Sequence, residues 1–264
     1  MSDDEDFRCS VGSRDDGEPL AGTAPTDSAF LFVEYPGAWG RHAVEESRLP
    51  ESVRTFLDGL TGIRVQLIRR HGGTSGPGVR VFHAVANADG FAVRTTLLAD
   101  VNDLLDLDVE RDPKPHDGGL WLVCTNGRRD RCCAEIGRPI TAALAARWPE
   151  ETWETTHLGG HRFSGTLLAL PSGHTLGRLT MDNAVEACVE VEAGAVPIEL
   201  SRGRAGRSGV EQVRELHVLG GGSPDVEIVE VPGPERRQSC GDLKLKRTTR
   251  FEIVDREFSN SLLR

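Results

Sequence analysis

The hydrophobic pattern divides the chain into short strands and helices from about residue 30 onward. The apolar run at 30–35 is typical of a buried strand, and residues 50–60 have the spacing of a helix that starts at Pro50 and ends before Gly62. Glycine-rich turns separate the apolar runs that follow. We predict strands at 63–70, 79–86 and 91–99, a short helix at 100–110 and a linker at 111–119.

The same order of elements returns in the second part of the chain. A buried strand at 120–125 precedes an alanine-rich helix at 132–148. Leu31 corresponds to Trp121 and Phe91 to Thr175, at offsets of 90 and 84 residues. This agreement in order predicts an internal duplication of one α/β unit. The remaining strands are predicted at 152–157, 165–171 and 174–180, and a helix at 181–194.

The two ends of the chain differ from this repeated pattern. The first 28 residues are polar and acidic, as is typical of a flexible terminus. After the second unit, a loop with Pro and Gly joins strands predicted at 226–231 and about 245–254. We therefore divide the chain into a flexible acidic N-terminus at 1–28, a first half at 29–110, a second half at 119–220 and a β-containing C-terminal extension at 221–264.

Composition excludes several classes of function. The net charge is −10, from 31 basic and 41 acidic residues among 264, so the chain lacks the basic footprint of a nucleic-acid-binding protein. No long apolar run predicts a membrane span, and the acidic first residues lack the apolar segment of a secretory signal. We expect a cytoplasmic protein that binds neither nucleic acid nor membrane.

The six cysteines are unevenly distributed. Cys124, Cys132 and Cys133 lie within ten positions, which in a cytosolic chain indicates metal binding or redox chemistry rather than a disulfide framework. Cys188 falls in an apolar helix pattern and is expected in the core. Cys9 and Cys240 are not expected to be ligands, and Cys240 is expected to be a surface thiol.

Four residues form a candidate metal site. Cys124 ends a predicted strand, Cys133 begins the next helix, and His157 and His161 enclose a Gly pair after the following strand. Strand ends and helix starts meet at one edge of an α/β sheet, where sites usually lie. Two thiolates and two imidazoles suit tetrahedral zinc, and they equally suit a [2Fe–2S] cluster in which His replaces Cys on one iron. The spacing alone leaves the metal open.

The segments CTNGRRDRCCA and HLGGHRF, with their C-x8-C and H-x-G-G-H spacing, resemble the sucrase/ferredoxin-like family of thioredoxin-fold ferredoxins. The family pattern falls on Cys124, Cys133, His157 and His161. The resemblance implies that these four residues bind a [2Fe–2S] cluster and that the protein is an electron carrier. It implies neither a sucrose hydrolase nor any catalytic residue.

Two positions depart from the family pattern. Asn126 stands where many relatives have His, and the doubled cysteine leaves open whether Cys132 substitutes for Cys133, although the eight-residue spacing favours Cys133. The resemblance extends over most of the chain from Phe30. It implies a thioredoxin-like domain that holds the metal site. With the internal duplication, we predict an α/β fold with two thioredoxin-like halves in tandem, of which the second carries the metal site, and a β-containing C-terminal extension. The first half, which has no cysteine between 30 and 99, would be a scaffold or a docking surface.

Further expectations concern how such a centre would work. Imidazole ligands raise the reduction potential above that of all-Cys clusters, and protonation of their outer nitrogens would couple electron transfer to pH. Gly159 and Gly160 are expected to take positive φ and to bring the backbone close to the bound group. The exposed segment 128–131, with Arg128, Arg129 and Arg131, is expected to dock an unknown redox partner.

Two other functions fit the same residues. The first is a structural or interaction module that binds zinc through the same four ligands. The second is a thiol-redox protein with Cys132 or Cys133 as nucleophile, which is less favoured because the chain has no C-x-x-C.

Overall fold

A ten-stranded sheet runs through the computed structural model, which describes residues 6–73 and 76–255. Helix α1 (Cys9–Asp15) precedes the sheet. The first unit contains β1 (Ala29–Glu34), α2 (Glu51–Gly59), β2 (Arg64–Arg69), β3 (Val79–Ala86), β4 (Phe91–Leu98) and the short β5 (Lys114–Pro115), with 3₁₀ turns at His71–Gly73 and Val101–Asp106.

The second unit continues the same sheet. It contains β6 (Leu120–Cys124), α3 (Arg131–Arg147), β7 (Thr152–Thr155), β8 (Leu167–Leu170), β9 (His174–Leu176), α4 (Ala184–Glu192), β10 (Ser201–Arg204) and α5 (Gly209–Leu219), with 3₁₀ turns at His161–Phe163 and Ile198–Leu200. After it, β11 (Val226–Arg237) and β12 (Leu245–Asp255) pair as a separate antiparallel hairpin.

The two units have the same strand order. The full order is β10-β9-β8-β6-β7-β2-β1-β3-β4-β5, so the first unit reads β2-β1-β3-β4 and the second reads β7-β6-β8-β9. In each unit the first two strands of this order pair in parallel. Each of the next two strands pairs antiparallel with the strand before it in the order. Equivalent strands join the units, because β2 pairs antiparallel with β7.

The predicted α/β class is confirmed, with one large sheet and one small sheet. Strands β1 and β6 are buried almost throughout, as expected for interior strands covered on both faces. One core cluster crosses the junction of the units and includes Phe30, Ile68, Leu122 and Trp153. Cys124, Cys133 and Leu158 belong to the same cluster, so the candidate site lies at the end of a core that both units share.

The N-terminal segment packs against the second unit from Cys9 onward. Cys9 and Ser13 on α1 are fully buried, and Glu18 forms a buried ion pair with Arg162 at 2.6 Å. The polarity of residues 1–28 predicts a flexible segment, because its few buried side chains give no periodic signal, and residues 1–5 of that segment lie outside the described part of the chain. Packing from Cys9 onward places α1 next to the candidate site.

The C-terminal hairpin packs on α5 through a small apolar cluster. Val213 of α5 contacts Val226 and Ile228 of β11, and Phe251 of β12 lies against them. Helix α5 begins with a capping box, since the Ser208 hydroxyl and the Glu211 carboxylate bond reciprocally to backbone N–H groups. Among the described residues, no helix has the length and apolar character needed to cross a membrane.

Candidate metal centre

Cys124 and Cys133 meet where β6 ends and α3 begins. Cys124 is the last residue of β6, and Asp130 caps α3 by accepting a hydrogen bond from the N–H of Cys132 at 3.0 Å. Cys133 therefore lies in the first turn of α3, where the backbone N–H groups and the helix dipole favour a thiolate. Both thiols are buried and neither is in a disulfide.

The two histidines follow β7 on a loop that turns toward these thiols. The Nδ1 atom of His157 lies 3.8 Å from Sγ of Cys124 and 3.8 Å from Sγ of Cys133. The Nδ1 atom of His161 lies 3.3 Å from Nε2 of His157. The structure thus brings Cys124, Cys133 and His157 together, and it places His161 against the far side of the His157 ring. The donor atoms of Cys124, Cys133 and His157 all lie within 4.8 Å of one another.

The two buried thiols hold their protons unequally. The pKa of Cys124 lies well below its ordinary value, because Cys133 donates a hydrogen bond to it and His157 stabilises the thiolate. The pKa of Cys133 lies well above its ordinary value, because it holds that shared proton and is buried. The pair readily supplies one thiolate, and a bound cation would displace the second proton.

Three side chains fix the carbonyl groups of the histidine loop. Arg64 Nη2 donates to the His157 carbonyl at 2.7 Å, and Gln66 Nε2 donates to the same oxygen at 3.3 Å. Arg202 Nη1 donates to the Gly159 carbonyl at 3.0 Å. Arg64 and Gln66 belong to β2, so the first unit supports a loop of the second unit.

Arg202 also places a buried positive charge beside the thiols. Only 2% of its surface is exposed, and burial lowers its pKa to about 10, an effect that Cys124 and Cys133 partly oppose. Its guanidinium is further held by the Thr23 hydroxyl at 3.1 Å. The side chain is therefore a fixed counter-charge for thiolates at the centre.

The glycine pair has the backbone geometry that the sequence predicts. Gly159 has φ +89° and Gly160 has φ +66°. A Cβ atom at Gly159 would meet no atom within 4 Å, whereas a Cβ atom at Gly160 would overlap the guanidinium of Arg202. Gly159 is thus required for its backbone conformation alone, and Gly160 is required for conformation and space together.

The segment after β11 covers the outer side of His161. The Nε2–H group of His161 donates a hydrogen bond to the Gln238 carbonyl. The Nδ1 atom, which faces His157, is therefore unprotonated and has a lone pair that could bind a metal. Arg162 next to it donates to the carbonyl of Arg237 and pairs with Glu18. The two terminal segments of the described chain therefore meet over this face.

A second group of ligand-type side chains lies directly behind the first. Donor atoms of Cys9, Asp130, Cys132 and Cys240 all lie within 4.8 Å of one another. The sequence predicts that neither Cys9 nor Cys240 is a ligand and that Cys240 is a surface thiol, whereas Cys240 lies in this group and is partly buried. The doubled cysteine at 132–133 was the one signal in the sequence, since the other members are distant along the chain.

The arginine segment lies beside the centre. Arg128 and Arg131 are exposed and Arg129 is partly exposed. Asp130 lies within the segment that the sequence predicts to be exposed, but it is buried, because it caps α3. A surface cavity of about 180 Å³ opens next to His157 and is lined in part by Arg41 and Arg129. His157, rather than His161, therefore lines this surface cavity.

Fold and site together define an α/β protein with a buried Cys/His candidate metal centre between two sheet units. The model of the sucrase/ferredoxin-like family matches residues 20–203, and the chain belongs to this family. No curated protein and no solved structure shows a significant match to the chain.

Proposed function

We propose that the protein is an electron carrier with a [2Fe–2S] cluster bound by Cys124, Cys133, His157 and His161. The observation that carries the proposal is the position of His157, whose Nδ1 lies 3.8 Å from both sulfurs and whose ring lies next to that of His161. Two thiols and two imidazoles with inward Nδ1 atoms are the donor set of a cluster with His on one iron. When bound, the cluster supplies one-electron oxidation and reduction.

The chain's own residues set the environment of that cluster. The N–H of Leu158 donates to Sγ of Cys124, and the buried Arg202 adds a positive charge near both thiolates. Both features favour the more negative, reduced state and so raise the reduction potential. We also predict that electron transfer is coupled to protonation of the imidazole ligands.

We also propose that the two units are tandem thioredoxin-like halves. Their identical strand order and strand directions support this assignment, as does their junction through equivalent strands. The first half, at 29–110, supplies Arg64 and Gln66 to hold the histidine loop. In this proposal it is a scaffold for the centre, and the second half, at 119–220, carries the ligands.

A redox partner would approach from the side of His157. The cavity beside this ring is lined by Arg41 and Arg129, and Arg128 is exposed next to it. Together with Arg131, these side chains group four arginines on this side of an acidic chain, and the Glu46 carboxylate lies beside Arg41 and Arg128. We propose a partner with an acidic docking surface, since complementary charge steers association.

Zinc is the second candidate for the same ligands. The donor atoms of Cys124, Cys133 and His157 lie within 4.8 Å of one another, which also fits a single ion. His161, whose Nδ1 lies 3.3 Å from Nε2 of His157, is proposed as its fourth ligand. With zinc bound, the centre would stabilise the structure or an interaction surface and would not transfer electrons.

A spectrum separates the two candidates. Anaerobically purified protein is expected to be red-brown, to contain two irons per chain, and to give an EPR signal of low average g after reduction with dithionite. Cys124→Ser should lose the colour, whereas Cys188→Ser, which alters a buried cysteine outside both ligand groups, should keep it. A colourless protein with zinc at this site would establish the second candidate and remove electron transfer.

A further inference from the structure

We propose that Cys9, Cys132, Cys240 and Asp130 form a second metal site that binds one zinc ion. This site is separate from the four ligands of the proposed cluster and does not depend on that cluster. Cys132 is directly before Cys133 in α3, so the two sites share a helix end.

The distances between the donor atoms fit a single tetrahedral ion. The three sulfurs form a triangle with sides of 3.8 Å (Cys9 to Cys132), 3.3 Å (Cys132 to Cys240) and 3.6 Å (Cys240 to Cys9). Asp130 Oδ1 completes the group at 3.5 Å from Sγ of Cys9 and 3.1 Å from Sγ of Cys240. Tetrahedral zinc with Zn–S bonds of about 2.3 Å places its sulfurs about 3.8 Å apart and a carboxylate oxygen about 3.5 Å from each sulfur.

The chemistry of the donors selects the kind of ion. Three thiols are soft ligands that suit zinc and exclude calcium and magnesium as occupants. A disulfide between Cys132 and Cys240 would use two sulfurs and leave the third thiol and a buried carboxylate packed against it. One divalent cation between all four acidic groups accounts for the whole arrangement, and its binding releases the thiol protons to solvent.

The surrounding backbone is arranged as in a thiolate site. The Ser10 hydroxyl donates to Sγ of Cys132 at 3.1 Å, and the N–H of Cys9 donates to Sγ of Cys240 at 3.5 Å. Asp130 receives the N–H groups of Cys132 at 3.0 Å and Cys240 at 2.8 Å. Such contacts orient ligands and offset their negative charge.

The proposed ion would join three distant parts of the chain. It ties α1 and the segment after β11 to the first turn of α3, immediately behind the histidine loop, since Sγ of Cys9 lies 3.7 Å from the His161 carbonyl. Gln238, whose carbonyl accepts from His161, is two residues before Cys240. The proposed ion would therefore hold in place the segment around Gln238 that covers His161.

The test is metal analysis of the full-length protein with single-cysteine variants. Wild-type protein is expected to contain one zinc per chain in addition to iron, with an X-ray absorption spectrum that fits three sulfurs and one oxygen. Cys9→Ser and Cys240→Ser should lose the zinc and keep the iron. Cys188→Ser, the matched control, should keep both metals, and Cys124→Ser should lose the iron and keep the zinc.

Other outcomes overturn the proposal. The proposal is wrong if the wild-type protein contains no zinc or if mass spectrometry finds a Cys132–Cys240 disulfide. It is also wrong if zinc is lost in Cys124→Ser but kept in Cys240→Ser. If the serine variants fail to fold, native mass spectrometry of the wild type decides. If the site exists, native mass spectrometry detects a zinc adduct, and Cys9, Cys132 and Cys240 resist alkylation until a chelator is added. If either result is missing, the site does not exist. Absence of iron with zinc retained would refute the proposed cluster and leave this site standing.

Discussion

His157 is the side chain on which the proposed electron-transfer function most depends. Within the described residues, its imidazole is the one whose Nδ1 lies 3.8 Å from both thiols, and its ring also lies against His161. A neutral imidazole donates less negative charge to iron than a thiolate does, so it favours the reduced cluster. In the proposed cluster, the identity of this ligand would therefore set the reduction potential.

Replacing His157 with Cys tests this role. We expect His157→Cys to retain a [2Fe–2S] spectrum and to lower the midpoint potential on the order of 100 mV or more, because a thiolate replaces a neutral ligand. Protein-film voltammetry measures the shift. His42→Gln, at an exposed histidine, is the control and should leave the potential unchanged. An unaltered potential in His157→Cys would show that His157 is not a ligand.

The glycine pair gives a second prediction at single residues. Gly159→Ala should destabilise the protein by about 1 kcal/mol, since Ala must adopt a positive φ there. Gly160→Ala should cost more, about 2–3 kcal/mol, because its Cβ also collides with the buried Arg202. Urea unfolding of both variants gives the comparison, and equal losses would show that the overlap with Arg202 has no energetic weight.

Strand β2 acts on the centre although it contributes no ligand. Its side chains Arg64 and Gln66 both donate to the carbonyl of His157, and Arg64 pairs with Asp27 at 2.8 Å. Hydrogen bonds from a charged donor are the stronger kind. The position of the histidine loop thus depends on an element of the other unit.

Loss of this support should shorten the lifetime of the centre. Arg64→Gln is expected to speed the bleaching of the visible bands in a chelator about 10-fold, as the loss of about 1.5 kcal/mol from a charged hydrogen bond implies. Arg48→Gln, at an exposed arginine, serves as the control. Bleaching rates that match between Arg64→Gln and the wild type would contradict a supporting role for β2.

At the scale of the whole molecule, buried neutral histidines link folding to pH. Burial lowers the pKa of His174 to about 4, and the nearby Arg204 acts in the same direction. His83 and His116 have pKa values lowered by burial as well. The unfolded chain takes up these protons near pH 6.5 and the folded chain does not, so stability falls as pH drops below about 6.5.

For His174 alone, this linkage predicts a loss of about 2 kcal/mol in unfolding free energy between pH 7.5 and pH 5. His174→Gln should be less stable at pH 7.5 and should show a shallower decline toward pH 5. Urea titrations at both pH values measure the difference, and comparison with His42→Gln cancels effects of metal loss. Parallel declines in the two variants would exclude His174 as a source.

The proposed docking face contains arginines although the whole chain is acidic, and small oxidants test whether these arginines control access to the centre. At low salt, Arg41→Glu and Arg129→Glu should slow oxidation of the reduced protein by ferricyanide about 3- to 10-fold and speed oxidation by hexaammineruthenium(III). Lys114→Glu on edge strand β5 makes the same change in net charge and should have little effect. An equal response at all three positions would mean that net charge, rather than this face, controls access.

The sequence predicted the repeated units because their strands carry continuous apolar runs. The strands at 30–35 and 120–125 and the helix at 132–148 lie within a few residues of β1, β6 and α3. Cys124, Cys133, His157 and His161 could be proposed from the sequence because each pair is close in sequence, and the structure groups the first three. Cys9 and Cys240 were missed because a contact between residues 231 apart has no local pattern. Helix α1 was missed because its seven residues are too short for periodicity.

The meeting of Cys9, Cys132 and Cys240 also has a consequence for the order of events during biosynthesis. All four ligands of the proposed cluster precede Cys240, and a ribosome adds about 5–20 residues per second. The four proposed ligands are therefore synthesised several seconds before the last thiol of the second group. If the proposed cluster and the proposed zinc site both exist, this interval would allow iron to be delivered before the segment around Cys240 covers His161.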